Sequence, residues 1–283
     1  MNKYNIFAFA DEASPKLSEQ IAAMQRNGLQ GIEIRNTDGV NVSDLTLSAA
    51  KQIKAELDAA GLRVNALGSP LGKIDIEKDD FAAHLDKFKA SLDVAYTLGA
   101  KRIRLFSFYI PEGKNPDDYK DEVIDRLGEF ALAANGSGIT LCHENEKGIY
   151  GDIAPRCLEI FSALPDIKCV FDPANFIQSG QPTLPAWEML KTYVEYMHIK
   201  DALSDGKVVP AGKGEGNIDI IVPEFVKMGG TDFTVEPHLA VFSGLAALER
   251  EGERSNVGDF VYASPDAAFD VACNEFKGVL AKI

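Results

Sequence analysis

Glu144, Asp172, His198 and Glu236 stand at the ends of short apolar runs, in ITLCHE, KCVFD, VEYMHIKD and DFTVE. Three carboxylates and one imidazole make a ligand set for one hard or borderline divalent ion, such as manganese, magnesium, cobalt or zinc. Taken singly, each has an ordinary reading, because a strand-end Asp or Glu often caps the next helix and a lone His is usually just hydrogen-bonded. Four in order are different if the runs are parallel neighbours, since the carboxyl ends of such strands converge on one rim.

The elements that must position them repeat along the chain. Helical patterns end at Gly28, Gly61, Gly99 and Gly138, and an apolar strand-like run follows each at once. These glycines lie 33, 38 and 39 residues apart, about one strand-helix unit. Glycine suits the left-handed position that closes a helix. The helical patterns carry apolar stripes, such as Leu17, Ile21 and Met24, or Phe81, Leu85, Phe88 and Leu92. The strand runs NIFAFA, GIEI, RVNAL, RIRLF, ITLC, KCVF, YMHI and DFTV are almost wholly apolar, as strands covered on both faces should be. Eight alternating units, with polar residues recurring at strand carboxyl ends, indicate an α/β fold: a (β/α)8 TIM barrel forming a single domain over residues 1–283. The stretch from Leu239 to Ser264 is longer than a barrel loop requires and is expected to be a lid or a subunit contact, the second implying a homo-oligomer.

Other residues fall near the same rim. Glu33 closes the second strand, either as a carboxylate behind the ligands or as the partner of a lysine. Asn175, Lys200 and Asp201 are placed to contact substrate hydroxyls, and His238 to reach substrate from beyond Glu236. His143 should point to the opposite side from Glu144, and His84 is expected to be solvated. AGKGEG lacks the strand-to-helix setting of a nucleotide loop and reads as a flexible edge of the pocket. Trp187 should anchor a helix to the barrel.

Composition narrows the partners. A formal charge of −14 argues against nucleic acid or an anionic membrane surface. No run is long and apolar enough to span a bilayer, and the N-terminal apolar stretch before Asp11 and Glu12 is too short for a signal-peptide core. The expected compartment is the cytoplasm. Cys142, Cys157, Cys169 and Cys273 show no close spacing and are expected to be buried, reduced thiols.

From GLQGIEIR through CHEN, FDPAN, HIKDA and GKGEG to VEPH, the chain resembles the sugar phosphate isomerase/epimerase family. These are xylose-isomerase-like TIM barrels that include ketose 3-epimerases, inosose isomerases and dehydratases, and the AP endonuclease family 2 fold. The resemblance implies one divalent ion held by Glu144, Asp172, His198 and Glu236, with Glu144 and Glu236 also acting as acid and base. It departs from many epimerases of that family at Asn175, where they carry histidine, and at Lys207, where they carry arginine. The activity implied is proton transfer on a ketose or related polyol ketone through a metal-stabilised enediolate. An inosose-type dehydratase would use the same site. An abasic-site endonuclease needs several zinc ions and more histidines than the four here, and a non-catalytic sugar-binding protein would not need intact ligands. With few rim cations beyond Lys200, Lys207 and Lys213, the expected substrate is a small, weakly charged carbohydrate.

Overall fold

The computed structural model describes residues 3–242 and 262–283. Its eight central strands are β1 (Asn5–Ala8), β2 (Gly31–Ile34), β3 (Arg63–Leu67), β4 (Arg102–Leu105), β5 (Thr140–Glu144), β6 (Lys168–Phe171), β7 (Val194–Ile199) and β8 (Asp232–Val235). Each pairs in parallel with its neighbour in the chain, and β8 pairs with β1, so the sheet closes. The chain is a single TIM barrel. Of the long stretch after β8, residues 243–261 lie outside the described residues, and with them most of the expected lid or subunit contact.

The helices form where the apolar stripes fall. They are α1 (Leu17–Arg26), α2 (Leu47–Ala59), α3 (Phe81–Leu98), α4 (Lys120–Ala134), α5 (Ala154–Ala163), α6 (Pro173–Gln178), α7 (Thr183–Leu190), α8 (Ile218–Lys227) and α9 (Pro265–Leu280). Side chains fix their starts: Asp80 accepts from the Ala82 and Ala83 amides ahead of α3, and Thr46 accepts from Ala49 ahead of α2. Gly99 ends α3 in the left-handed region at φ 71°, which any side chain would strain. On α3, Phe88 is fully buried, while Phe81, Leu85 and Leu92 pack against the core from its margin. Trp187 of α7 is buried edge-on to Phe171 and Phe225, and its Nε1 donates to Glu224 at 2.8 Å, tying α7 to both β6 and α8.

Period-two alternation along each strand decides what fills the barrel. Counting back two residues from Glu144, Asp172 and His198 gives Cys142, Val170 and Tyr196, which form a buried cluster with Ala66. Beneath it, Arg102 donates to Glu195, Asn65 and Asp232 across the amino-terminal end of the barrel. The rim that carries the candidate ligands therefore rests on a packed interior. His143 has the opposite parity and leaves the barrel: its Nε2 meets Ser107 Oγ at 2.9 Å and its ring lies against Phe161 of α5.

All four cysteines are buried and unpaired. His84, in contrast, is half-buried rather than solvated. Its Nε2 lies 2.7 Å from the Gly72 amide, accepting that N–H, and its ring packs near Phe130. Burial, helped by nearby Lys87, pushes its pKa down to about 4. Protonation would destroy the acceptor, so the histidine stabilises the fold fully above its unfolded pKa of about 6.5, and this contribution is lost as pH falls towards 4. Allowing for partial exposure, the loss should be roughly 1–2 kcal/mol. Urea unfolding at pH 7 and pH 4.5 should therefore show a steeper acid loss in the parent than in His84→Gln. Equal losses would contradict this.

Candidate metal centre

β5 to β8 bring the expected ligands together. Oxygen atoms of Glu144, Asp172 and Glu236 and a ring nitrogen of His198 all lie within 4.8 Å of one another, and all four residues are buried. His198 Nδ1 is 3.0 Å from Glu144 Oε1, 3.3 Å from Glu236 Oε2 and 4.0 Å from Asp172 Oδ2. Asp172 also caps α6, its Oδ1 accepting from the Asn175 amide at 2.9 Å, while its Oδ2 faces the cluster. The capping and ligand readings are thus compatible, because the carboxylate has two oxygens. Glu144 Oε2, Asp172 Oδ2 and Glu236 Oε2 are buried without a well-directed hydrogen bond. Three such carboxylate oxygens beside one imidazole fit a divalent ion.

The charges around this cluster come from more of the barrel than its ligands do. Arg104 Nη1 lies 3.0 Å from Glu144 Oε2, and Lys200 Nζ lies 3.0 Å from Asp172 and 3.4 Å from Glu236. Arg35 spans Asp11 at 2.9 Å, Glu12 at 3.1 Å and Glu236 at 3.5 Å. Burial alone would raise the Glu144 pKa, but His198 and Arg104 outweigh it and pull it down to about 2. At Asp172 burial wins against Lys200, and the pKa is pushed up to about 6. His198 is driven the other way from a buried histidine: Glu144 and Glu33 overcome desolvation and raise it well above its usual value.

The remaining rim residues divide. Asn175 donates through Nδ2 to Glu144 Oε1 at 3.1 Å and to the Asn145 carbonyl at 2.9 Å, and it lines the pocket with Arg35, Lys73, Lys200 and His238. His238 adopts φ 43°; its amide donates to Glu12 Oε2 at 2.6 Å, and its Nδ1 lies 3.0 Å from Glu12 Oε1 and 3.4 Å from Glu236. Glu33 does not line the pocket and, among the described residues, pairs with no lysine; fully buried, it meets Tyr196 and His198 from below. Asp201, expected beside substrate hydroxyls, instead accepts the amides of Ala202, Gly212, Gly214 and Gly216. The glycine-rich loop is therefore pinned to the end of β7, where sequence suggested a flexible edge. Gly214 and Gly216 leave no room for a side chain, since a Cβ would come within 2.4 Å and 2.6 Å of Asp201 Oδ1.

Sequence reasoning missed Asp11, Glu12, Arg35, Arg104 and Asn145. The available signal was position: Arg35 directly follows GIEI, Asn145 directly follows Glu144, and Arg104 shares the inward parity of Arg102.

Residues 21–238 match the model of a family described as xylose isomerase-like TIM barrel. The chain belongs to that family. A search of curated proteins finds no match. Among solved structures, one similar to this barrel is the IolI protein with a bound zinc atom, at TM-score 0.74 and 18% identity over 99% of this chain and 98% of that one. A probable 3-DHS dehydratase, AsbF from Bacillus anthracis, superposes at TM-score 0.71 and 17% identity over 98% of each chain. D-psicose 3-epimerase from Clostridium cellulolyticum H10, solved with D-tagatose, gives TM-score 0.73 and 15% identity over 98% of this chain and 99% of that one. At these identities the likeness concerns the xylose isomerase-like fold alone.

A second group in this barrel, Glu12, Glu236 and His238, is also close enough to hold an ion. Arg35 already lies against Glu12 and Glu236, so a cation is supplied there by the chain itself.

Proposed function

We propose that the chain is a divalent-metal-dependent sugar epimerase or isomerase acting on an uncharged ketose or related polyol ketone. The observation that carries this reading is the convergence of Glu144, Asp172, His198 and Glu236 at the carboxyl rim of the barrel. A divalent ion held by these four would polarise a substrate carbonyl and its neighbouring hydroxyl, acidifying the C–H between them. Glu144 and Glu236 then serve as base and acid. They come from β5 and β8, separated by β6 and β7 in the barrel wall, so they approach the pocket from different directions. That arrangement suits removal of a proton on one face and return on the other, as 3-epimerisation requires. Return to the neighbouring carbon instead would interconvert aldose and ketose.

Charge supports a neutral substrate. Arg35, Lys73, Arg104 and Lys200 enter the pocket wall, but each is matched by a carboxylate: Asp11 and Glu12, Glu146, Glu144, and Asp172 respectively. With those pairs formed, an added phosphate or carboxylate would meet a wall whose positive charge is already answered. Asn175, Lys200 and His238 are the candidate contacts for sugar hydroxyls. No helix among the described residues is long and apolar enough to cross a membrane, and the buried free thiols suit a reducing cytoplasm.

A dehydratase is the second reading, since the same four ligands could activate a C–H beside a departing hydroxyl and a probable dehydratase shares this fold. Product analysis after incubating manganese-loaded protein with free ketoses and inososes separates the two. A stereoisomer or an aldose is the expected product; stoichiometric loss of water would assign the dehydratase instead.

A further inference from the structure

Beneath the candidate metal centre lies a buried carboxylate that none of the proposed chemistry uses. Glu33, on β2, is fully excluded from solvent. Its Oε2 lies 3.2 Å from His198 Nε2, and its Oε1 accepts the Tyr196 hydroxyl at 2.9 Å. Its closest charged contact is the His198 ring, and its field also reaches Arg104. Space for it is reserved by Gly68, where a Cβ would meet the Phe9 ring at 2.4 Å and Glu33 Cγ at 3.3 Å. The same Phe9 ring lies edge-on to His198 at 5.2 Å, and Tyr196 edge-on at 5.6 Å, so the imidazole is held on its flanks as well as from below.

We infer that Glu33, braced by Tyr196, is a positioning residue that fixes His198 with Nε2 protonated and Nδ1 as the metal-binding nitrogen. The Tyr196 hydroxyl occupies Glu33 Oε1, and Oε2 faces His198 Nε2 at 3.2 Å, which assigns the ring hydrogen to Nε2. The lone pair of the neutral ring is then on Nδ1, the atom that faces Glu144, Asp172 and Glu236. A carboxylate behind a ligating histidine sets its tautomer, restrains its rotation and raises its basicity, and loss of such a partner typically weakens metal binding 10–100-fold. Tyr196 occupies the second oxygen of Glu33 and so fixes which way the carboxylate turns. Both lie on strands rather than loops, which lets the barrel frame set the ring before any ion arrives.

This rests on the metal-binding reading of the site, and two measurements keep the two separable. Long-range proton–nitrogen spectra of zinc-loaded protein labelled with nitrogen-15 histidine should show His198 protonated at Nε2 and liganded at Nδ1. Ligation through Nε2 would overturn the inference while leaving the metal centre intact. Manganese titration of Glu33→Gln and Tyr196→Phe, alongside thermal unfolding of the metal-free proteins, gives the second test. Glu33→Gln should lower affinity by roughly 10–100-fold, and Tyr196→Phe by less, with each variant still folded. Unchanged manganese affinity in a folded Glu33→Gln variant would overturn the positioning role, whereas absence of any divalent-ion binding by the parent would overturn the metal reading as well.

Discussion

Replacing Glu144 or Glu236 with glutamine is expected to lower turnover by roughly 10²–10⁴-fold, the usual effect of removing a general base. Glutamine keeps the volume and one oxygen ligand but cannot take a proton, so the metal should be retained in part while the proton transfer fails. The two variants should differ in stability. Glu144 lies 3.0 Å from buried Arg104 and is the nearest of the carboxylates that hold its charge, so Glu144→Gln removes the closest counter-charge of that guanidinium. Breaking a buried pair in this way costs about 3–5 kcal/mol. Arg35, beside Glu236, retains Asp11 and Glu12, so Glu236→Gln should unfold near the parent's denaturant midpoint. Steady-state kinetics with manganese saturating, paired with urea denaturation, checks both statements. Near-normal kcat in either variant would reduce that glutamate to a ligand and remove the two-carboxylate scheme.

His198→Ala should have the largest effect on metal binding. The imidazole supplies the single nitrogen of the ligand set, from a fully buried position between Glu144 and Glu236. If loss of the carboxylate behind a ligating histidine costs 10–100-fold, loss of the ligand itself should cost at least about 100-fold. Manganese titration followed by electron paramagnetic resonance should find one ion per parent chain and no tight ion in the variant. The overall barrel should persist, since the interior below the site is held by the Cys142, Val170, Tyr196 and Ala66 cluster and by the Arg102 network. Full stoichiometry at unchanged affinity in His198→Ala would place the ion elsewhere.

What sequence could and could not disclose follows from how far each interaction reaches. Eight strands were legible because both faces are covered, leaving continuous apolar runs such as KCVF and DFTV, and Gly99 marked a helix end because its backbone is left-handed. The candidate ligands were legible because each sits at the carboxyl end of its run. The arginines were not, since Arg104 and Arg35 acquire meaning only through Glu144 and Glu236, which closure of the barrel brings across from distant strands. Asp201 sits beside Lys200 in the chain, yet the glycine amides it accepts have no side-chain signature. His84 likewise depends on a single backbone amide, that of Gly72. Pairing that uses the main chain is hidden from residue types, whereas parity along a strand is written in them.

The central claim is that this rim activates a C–H beside a sugar carbonyl, and solvent exchange reads that step directly. Manganese-loaded protein incubated in heavy water with free ketoses and inososes should place deuterium at the carbon next to the carbonyl of one of them. The label should vanish on chelation and in the Glu144→Gln and Glu236→Gln variants. Absence of exchange into every neutral ketose and inosose, with one ion bound per chain, would contradict the account.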